Sequence, residues 1–131
     1  SGSYSAVISL FIKQKLMGKP FTIVGNGKQT RDFVHVKDVS NAFILAAFSK
    51  IKNEIFNIGT GKSVSIRYLL NLVFKTFNLN WKEFVVINKK LIRAKDISES
   101  RADISKIKFF LKWTPKFYVE DVIKKLILKE I

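Results

Sequence analysis

Apolar residues recur along this chain at helical spacing in some stretches and in short continuous runs in others. Asp38, Ser65 and Asp103 stand directly before three helical stretches and are their expected N-caps. Five helices are predicted in all: residues 5–19, closed by Gly18 and Pro20; a helix that begins at Val39; residues 66–77; a helix that ends at Leu111; and residues 119–127.

Short β-prone runs separate these helices and predict strands. The runs are Phe21 to Val24, Asp32 to Val36, the mostly buried Ile55 to Ile58, and Phe84 to Ile87 after Trp81. Residues 89–100 are polar and predict an irregular segment. The chain is therefore expected to be an α/β protein with several helices and short strands.

One arginine stands out within the strand, loop, strand, helix unit of residues 21–41. Arg31 is one of four arginines in a lysine-rich chain, and it follows the Gly25-Asn26-Gly27 turn. Its planar guanidinium suits bidentate capture of a phosphate or carboxylate. The alternative is an exposed charge paired with Asp32, which would contribute little.

A second glycine-rich turn, residues 59–63 (Gly-Thr-Gly-Lys-Ser), has to be weighed as a phosphate loop. The Walker pattern needs a glycine five residues before Gly61, where Phe56 stands. The helical spacing also begins only after Ser65. A glycine turn that leads to an N-cap at Ser65 is the favoured interpretation.

Size and composition fit one domain over residues 1–131, in which residues 1–3 look like a cloning remnant or a cut loop. With no cysteine and one histidine, disulfides are excluded and a zinc site lacks its usual ligands. No apolar run approaches the ~20 residues that span a bilayer. We expect a soluble, cytoplasmic protein without a membrane partner.

The formal net charge of +14 raises nucleic acid as a partner. The lysines are spread along the whole chain, however, and arginine is scarce. Aromatic residues are not interleaved with basic ones on a strand, as a stacking module requires. A solvated lysine surface is therefore favoured over a nucleic-acid module, and polyanion binding is kept as an alternative.

Several motifs, in order, resemble the C-terminal part of the NAD-dependent nucleotide-sugar epimerases and dehydratases, the extended short-chain dehydrogenases/reductases. Residues 4–9 are similar to the family's Tyr-Ser-Gly-Val-Ile-Ser, residues 29–36 share its Gln-Thr-Arg-Asp-Phe-Val-His-Val, and residues 56–61 match Phe-Asn-Ile-Gly-x-Gly. Residues 93–96, 102–106 and 111–115 follow its closing segment. The resemblance covers almost the whole chain and implies a small mixed α+β portion without the N-terminal Rossmann sheet.

The resemblance also implies a role for each matching residue. Arg31 and Arg93 would clamp the diphosphate of a nucleotide sugar, and Asp96 would reach the ribose. Thr22, Ile23 and Val24 would lie along the base. His35 and Asn57 are expected to hold the fold rather than touch the ligand.

Departures from the family pattern limit what can be transferred. Val24 replaces an aromatic residue beside the base, Lys95 replaces a glycine, and Lys112 replaces the glycine before Trp113. The family's catalytic tyrosine has a lysine four residues on, but Ile8, Leu72 and Val122 follow the three tyrosines at that spacing. No catalytic residue, no cofactor-binding residue and no metal ligand is therefore expected here, and NAD belongs to the parent family.

The leading hypothesis is a truncated or dissected NAD-dependent sugar-nucleotide epimerase or dehydratase that binds the nucleotide-diphosphate sugar and lacks catalysis. Its expected partner is the missing N-terminal NAD-binding portion. The alternative is an assembly domain and homo-oligomer, which would associate through the Ile55 strand and an alanine face at Ala42, Ala46 and Ala47.

Overall fold

The computed structural model describes residues 14, 17–18, 21–24, 26–76, 78–88 and 97–129, and only the backbone of 21–24, 76, 87–88 and 126–129. Its elements are, in order, β1 (Phe21–Val24), β2 (Thr30–Asp32), α1 (Val36–Phe48), β3 (Ser63–Ser65), α2 (Ile66–Thr76), a 3₁₀ turn (Trp81–Glu83), β4 (Val85–Asn88), β5 (Glu99–Ser100), α3 (Ser105–Leu111) and α4 (Val119–Lys129). This set of elements confirms the predicted α/β class. The helix expected over residues 5–19 lies outside the described residues, except for isolated positions such as Gly18, whose φ is +63°.

The chain groups into two compact units, which are described separately. Unit 1 comprises Ser1–Gln29, Ser65–Ser98 and Ile123–Ile131, and unit 2 comprises Thr30–Val64 and Glu99–Val122.

Unit 1 contains a parallel strand pair and helix α2. Strand β1 pairs with β4 in a register that places Phe21 opposite Val85. Ser65 Oγ accepts a hydrogen bond from the Tyr68 amide at 3.0 Å, so the predicted N-cap of α2 is confirmed. The predicted apolar stripe of α2 is buried, as the spacing requires: Ile66, Leu69, Leu70, Val73 and Phe74.

Unit 2 contains a three-stranded sheet, in which β2 lies between β3 and β5. Strands β2 and β5 run parallel, with Arg31 opposite Ser100. Beside the sheet, helices α1 and α3 pack around Trp113, which is 1% exposed. The core of this unit consists of Ala42, Ile104, Ile107, Leu111 and Trp113.

Helix α1 begins three residues earlier than predicted. Its N-cap is His35, whose Nδ1 accepts from the Lys37 amide at 3.2 Å, so the prediction of Asp38 as N-cap was wrong. The buried Asp38 carboxylate instead accepts from the amides of Lys116 at 3.1 Å and Phe117 at 3.0 Å. A long-range partner competes for this side chain, and helix signals alone do not reveal such a partner.

Two strand predictions were also wrong. Residues 33–35 are not part of β2, which ends at Asp32, and residues 55–58 form no strand. Ile55 is 85% exposed rather than buried. A strand needs a neighbour for its backbone hydrogen bonds, and the described part of the chain supplies none for residues 55–58. Trp81 lies in the 3₁₀ turn, and the two-residue strand β5 interrupts the segment expected to be irregular.

Candidate functional site

Arg31 occupies the middle of β2 and is buried, with 5% of its surface exposed. Its Nη1 donates to the carbonyl oxygen of Thr30 at 2.8 Å. The interpretation of Arg31 as an exposed charge was therefore wrong. A permanently charged guanidinium is rarely buried in proteins, because its desolvation must be offset by hydrogen bonds or by anions.

The adjacent carboxylate, Asp32, holds β2 to two other segments of unit 2. Its Oδ1 accepts from the Thr60 amide at 2.8 Å and from the Thr60 hydroxyl. Its Oδ2 accepts from the amides of Gly61 at 2.9 Å and Ala102 at 3.2 Å. Four donors thus converge on one side chain, and we call this arrangement the Asp32 clamp.

The glycines of residues 59–61 make the clamp possible. A Cβ on Gly59 would lie 2.5 Å from the Ala102 Cβ and 2.7 Å from Asp32 Oδ2, so no larger residue fits without a shift. Gly61 adopts a φ of +72°, a conformation that favours glycine. The loop therefore does bind an anion through its backbone amides, but this anion is a carboxylate of the same chain.

The clamp also bears on the cofactor that the resemblance implies. The amides of Thr60 and Gly61 are already engaged by Asp32, so this loop does not fit a pyrophosphate. The glycine turn after β1 leads into β2 instead of a helix, and so lacks the helix N-terminus of a dinucleotide site. Neither glycine-rich turn therefore fits the pyrophosphate of NAD.

The remaining predicted ligand residues are placed only in part. The backbone of Thr22, Ile23 and Val24 forms β1, which belongs to unit 1, whereas Arg31 belongs to unit 2. Arg93 and Asp96 lie outside the described residues. Convergence of Arg31 and Arg93 on one diphosphate therefore stays a prediction.

His35 and Asn57 make contacts that hold unit 2 together, as expected. Besides capping α1, the His35 ring packs against the Phe117 ring, with 4.6 Å between centroids. Asn57 Nδ2 donates to the Asp103 carbonyl oxygen at 3.3 Å. Each residue links segments far apart in the sequence.

Sequence reasoning overlooked Arg67, which organises the glycine turn after β1. The Arg67 Nη2 donates to the Asn26 carbonyl oxygen at 2.7 Å, and the Arg67 backbone amide donates to the Gly27 carbonyl oxygen at 2.9 Å. The guanidinium also lies 5.6 Å from the Trp81 ring centroid. The sequence did contain one indication of this role. Arg67 lies in the first turn of α2, where a positive charge opposes the helix dipole, and a cation at such a position suggests a specific partner.

The backbone amide of Ser105, and then its hydroxyl, lower the pKa of Asp103 below its ordinary value by hydrogen bonding to the carboxylate. Within the described ranges, no group of three or more histidine, cysteine or acidic side chains could hold a metal ion. No helix in the same ranges is long and apolar enough to cross a membrane.

Similarity to known proteins assigns the chain to a family. The sequence model described as GDP-mannose 4,6 dehydratase matches residues 3–126. The chain belongs to this family of NAD-dependent nucleotide-sugar epimerases and dehydratases, as its motifs indicated.

Individual relatives support the same assignment. A putative UDP-glucose 4-epimerase of Methanocaldococcus jannaschii is 34% identical over 123 residues, which are 94% of this chain and 38% of that protein. CDP-paratose 2-epimerase of Salmonella typhi is 35% identical over 114 residues, which are 84% of this chain and 32% of that protein.

Solved structures match the fold as well. UDP-glucose 4-epimerase of Thermotoga maritima, solved with UDP-glucose, has a TM-score of 0.79 at 32% identity and is matched over 95% of this chain and 40% of its own. MoeE5 in complex with UDP-glucuronic acid and NAD has a TM-score of 0.80 at 26% identity, over 95% of this chain and 42% of its own. This chain thus spans about two fifths of the length of such relatives.

Proposed function

We propose that this chain is the nucleotide-sugar-binding portion of an NAD-dependent epimerase or dehydratase. Arg31 and Arg93 would hold the diphosphate, Asp96 the ribose, and residues 22–24 the base. The observation that supports this proposal most is the buried guanidinium of Arg31, fixed on a strand within a chain whose relatives include an enzyme solved with UDP-glucose.

Charge-assisted hydrogen bonds determine how much each arginine is expected to contribute to binding affinity. Each such bond contributes ~1.5 to 3 kcal/mol, which corresponds to about 10- to 150-fold in affinity. A bidentate guanidinium also fixes the orientation of the phosphate, which a lysine would not do. Arg31 would therefore contribute both affinity and geometry to the bound diphosphate.

Chemistry would depend on a second portion of the enzyme. In the family, bound NAD transiently oxidises the sugar, and a tyrosine with a lysine four residues on handles the proton. This sequence has no such pair. The chain alone should therefore give no product from NAD and UDP- or dTDP-hexoses, and formation of an epimerised sugar would refute this part of the proposal.

Binding can be tested by titration calorimetry with UDP-glucose. We expect Arg31→Ala to weaken binding at least about tenfold, because a charge-assisted bond is lost. Arg101→Ala is the matched control, since Arg101 is an exposed arginine 3.8 Å from Glu99. Equal affinity of the Arg31 variant and the parent would refute the role of Arg31.

The same pair of variants tests polyanion binding. If the +14 charge acts as a whole, affinity for DNA falls steeply with salt. Arg31→Ala and Arg101→Ala would then weaken binding equally, because each removes one positive charge. A selective effect of Arg31 on UDP-glucose alone would favour the nucleotide-sugar site.

The exposed face of α1 favours an interaction with the NAD-binding portion. The helix is apolar on two sides, and Ala42 on one side is buried in the core of unit 2. The predicted alanine face is thus used in part within the chain. Phe43 and Phe48 on the other side are 65% and 88% exposed, and Ile44 lies between them. From Ala42 to Phe48 every residue of α1 is apolar, and a helical segment that is apolar all round is normally buried on all sides.

The length comparison suggests what covers this face. About three fifths of the length of the relatives has no counterpart in this chain. We expect the NAD-binding portion to lie within that part. Burial of each large apolar side chain contributes about 1.5 to 3 kcal/mol, so Phe43, Ile44 and Phe48 offer a substantial docking surface. We therefore propose that the NAD-binding portion docks on α1.

A chimera tests this docking. The part of the Thermotoga maritima epimerase that has no counterpart in this chain can be joined to it. The chimera should have a higher thermal midpoint than the chain alone and should no longer bind a hydrophobic dye. Phe48→Lys should reverse both effects, whereas Lys108→Ala on α3 should not. If sedimentation shows that the chain alone forms a dimer that Phe48→Lys disrupts, self-association explains the face instead.

A further inference from the structure

We propose that Asp32 is a positioning residue, which holds the Arg31 guanidinium in the orientation needed for the diphosphate. The inference rests on the proposed nucleotide-sugar site for its functional meaning. The structural observation behind it is the Asp32 clamp, whose four donors come from Thr60, Gly61 and Ala102.

The alternation of side chains along a strand connects the two residues. Successive side chains leave a strand on opposite faces, so Arg31 and Asp32 point away from each other. Anchoring Asp32 fixes both the rotation of β2 about its axis and its position along the sheet. The direction in which Arg31 leaves the strand is then fixed as well.

The sheet alone would hold Arg31 only weakly. Strand β2 and its neighbour β3 have three residues each, and its parallel neighbour β5 has two, both of them exposed. Short, exposed strand pairs contribute little order, because water competes for their hydrogen bonds. The clamp adds anchoring points from residues 60–61 and 102, which are 28 to 70 positions away in the sequence.

Nuclear magnetic resonance can test this inference without any ligand. The chain has four arginines, so their Nε–Hε signals are few, and Arg31→Lys identifies the Arg31 signal by its loss. Because Arg31 is buried, its Hε should exchange slowly with water, and that of exposed Arg101 quickly. In Asp32→Asn, an NH2 group that cannot accept hydrogen bonds from the backbone amides replaces one carboxylate oxygen, so the clamp is weakened. The exchange of the Arg31 Hε with water should then accelerate about tenfold or more.

Asp38→Asn is the matched control. Asp38 is also a carboxylate that accepts from backbone amides, but its partners are Lys116 and Phe117. The Asp38→Asn variant should be less stable than the parent chain, but the exchange rate of the Arg31 Hε should not change. If Asp32→Asn does not fold, Thr60→Ala removes one clamp donor only and should give a smaller acceleration in the same direction.

Titration with UDP-glucose supplies the functional readout. Asp32→Asn should weaken binding about tenfold, and Asp38→Asn should leave affinity unchanged while the protein is folded. Unchanged Arg31 exchange in the Asp32 variant, or equal acceleration in both variants, would overturn the inference. Accelerated exchange in a chain whose parent form does not bind UDP-glucose would support the positioning of Arg31 and refute the proposed function instead.

Discussion

Lys112 occupies a backbone conformation that glycine would adopt more easily. It follows the last residue of α3 with φ +53° and ψ +23°, in the left-handed region. This is the position at which helices commonly end on glycine. The family pattern that this chain resembles has glycine at this position, and this chain has lysine. We therefore predict that Lys112→Gly stabilises the protein.

The size of the effect follows from three contributions. Relief of the left-handed conformation gains about 1 to 2 kcal/mol. The greater freedom of glycine in the unfolded chain returns about 0.4 to 1 kcal/mol. Loss of the contact between Lys112 Nζ and the Phe109 ring, 5.2 Å from its centroid, costs about 0.5 kcal/mol at an exposed site. The central values of these contributions leave a net gain of about 0.3 kcal/mol, or about 1 °C in the thermal midpoint.

Lys108→Gly is the control, because it makes the same chemical change inside the same helix. The Lys108 amide donates to the Ile104 carbonyl oxygen at 3.1 Å, so this residue lies in the helical hydrogen-bond ladder. Glycine there should cost about 1 kcal/mol. Urea unfolding followed by circular dichroism should thus shift the midpoint in opposite directions for the two variants.

The direction in which Lys112→Gly shifts the unfolding midpoint shows whether the left-handed conformation of Lys112 is strained. If Lys112→Gly destabilises the protein as much as Lys108→Gly does, the left-handed conformation of Lys112 carries no strain. The reasoning from backbone geometry would then be refuted for this helix end. An unchanged midpoint would instead mean that unfolded-chain entropy and the Phe109 contact offset the relief completely.

Two further predictions concern the glycine loop and the start of α3. Gly59→Ala should lower the free energy of unfolding by about 2 kcal/mol, since its Cβ would overlap Ala102 and Asp32, and a loss near zero in urea unfolding would contradict the close approach. Asp103→Asn should lower the thermal midpoint at neutral pH. Because the folded pKa of Asp103 lies below its ordinary 3.8, this difference should fade as the pH falls below that value, and a constant difference across a pH series would contradict it.

Local spacing predicted those elements whose neighbours in sequence decide their structure. Helix α2 begins after the Ser65 cap, and its apolar stripe is buried as expected, because cap and stripe lie within the same few turns. Strand β1 was placed at Phe21–Val24 for a similar reason, as a β-prone run before a glycine turn.

Predictions failed where a distant partner decides the structure. Asp38 looks like an N-cap from its local sequence, but its carboxylate binds amides almost eighty residues later. Ile55 looks like part of a buried strand, but no described strand pairs with it. Both errors arise because local pattern does not say which long-range donor or strand edge will be available.

The Asp32 clamp shows why the phosphate-loop pattern was ambiguous. Backbone amides of a glycine-rich turn favour any anion of suitable size, whether it is a ligand phosphate or a carboxylate of the same chain. The sequence shows the turn at residues 59–61 but not the anion that will reach it. Since Asp32 fills the turn, the loop acts as an internal anchor. The external phosphate is therefore assigned, in our proposal, to the neighbouring Arg31 rather than to this loop.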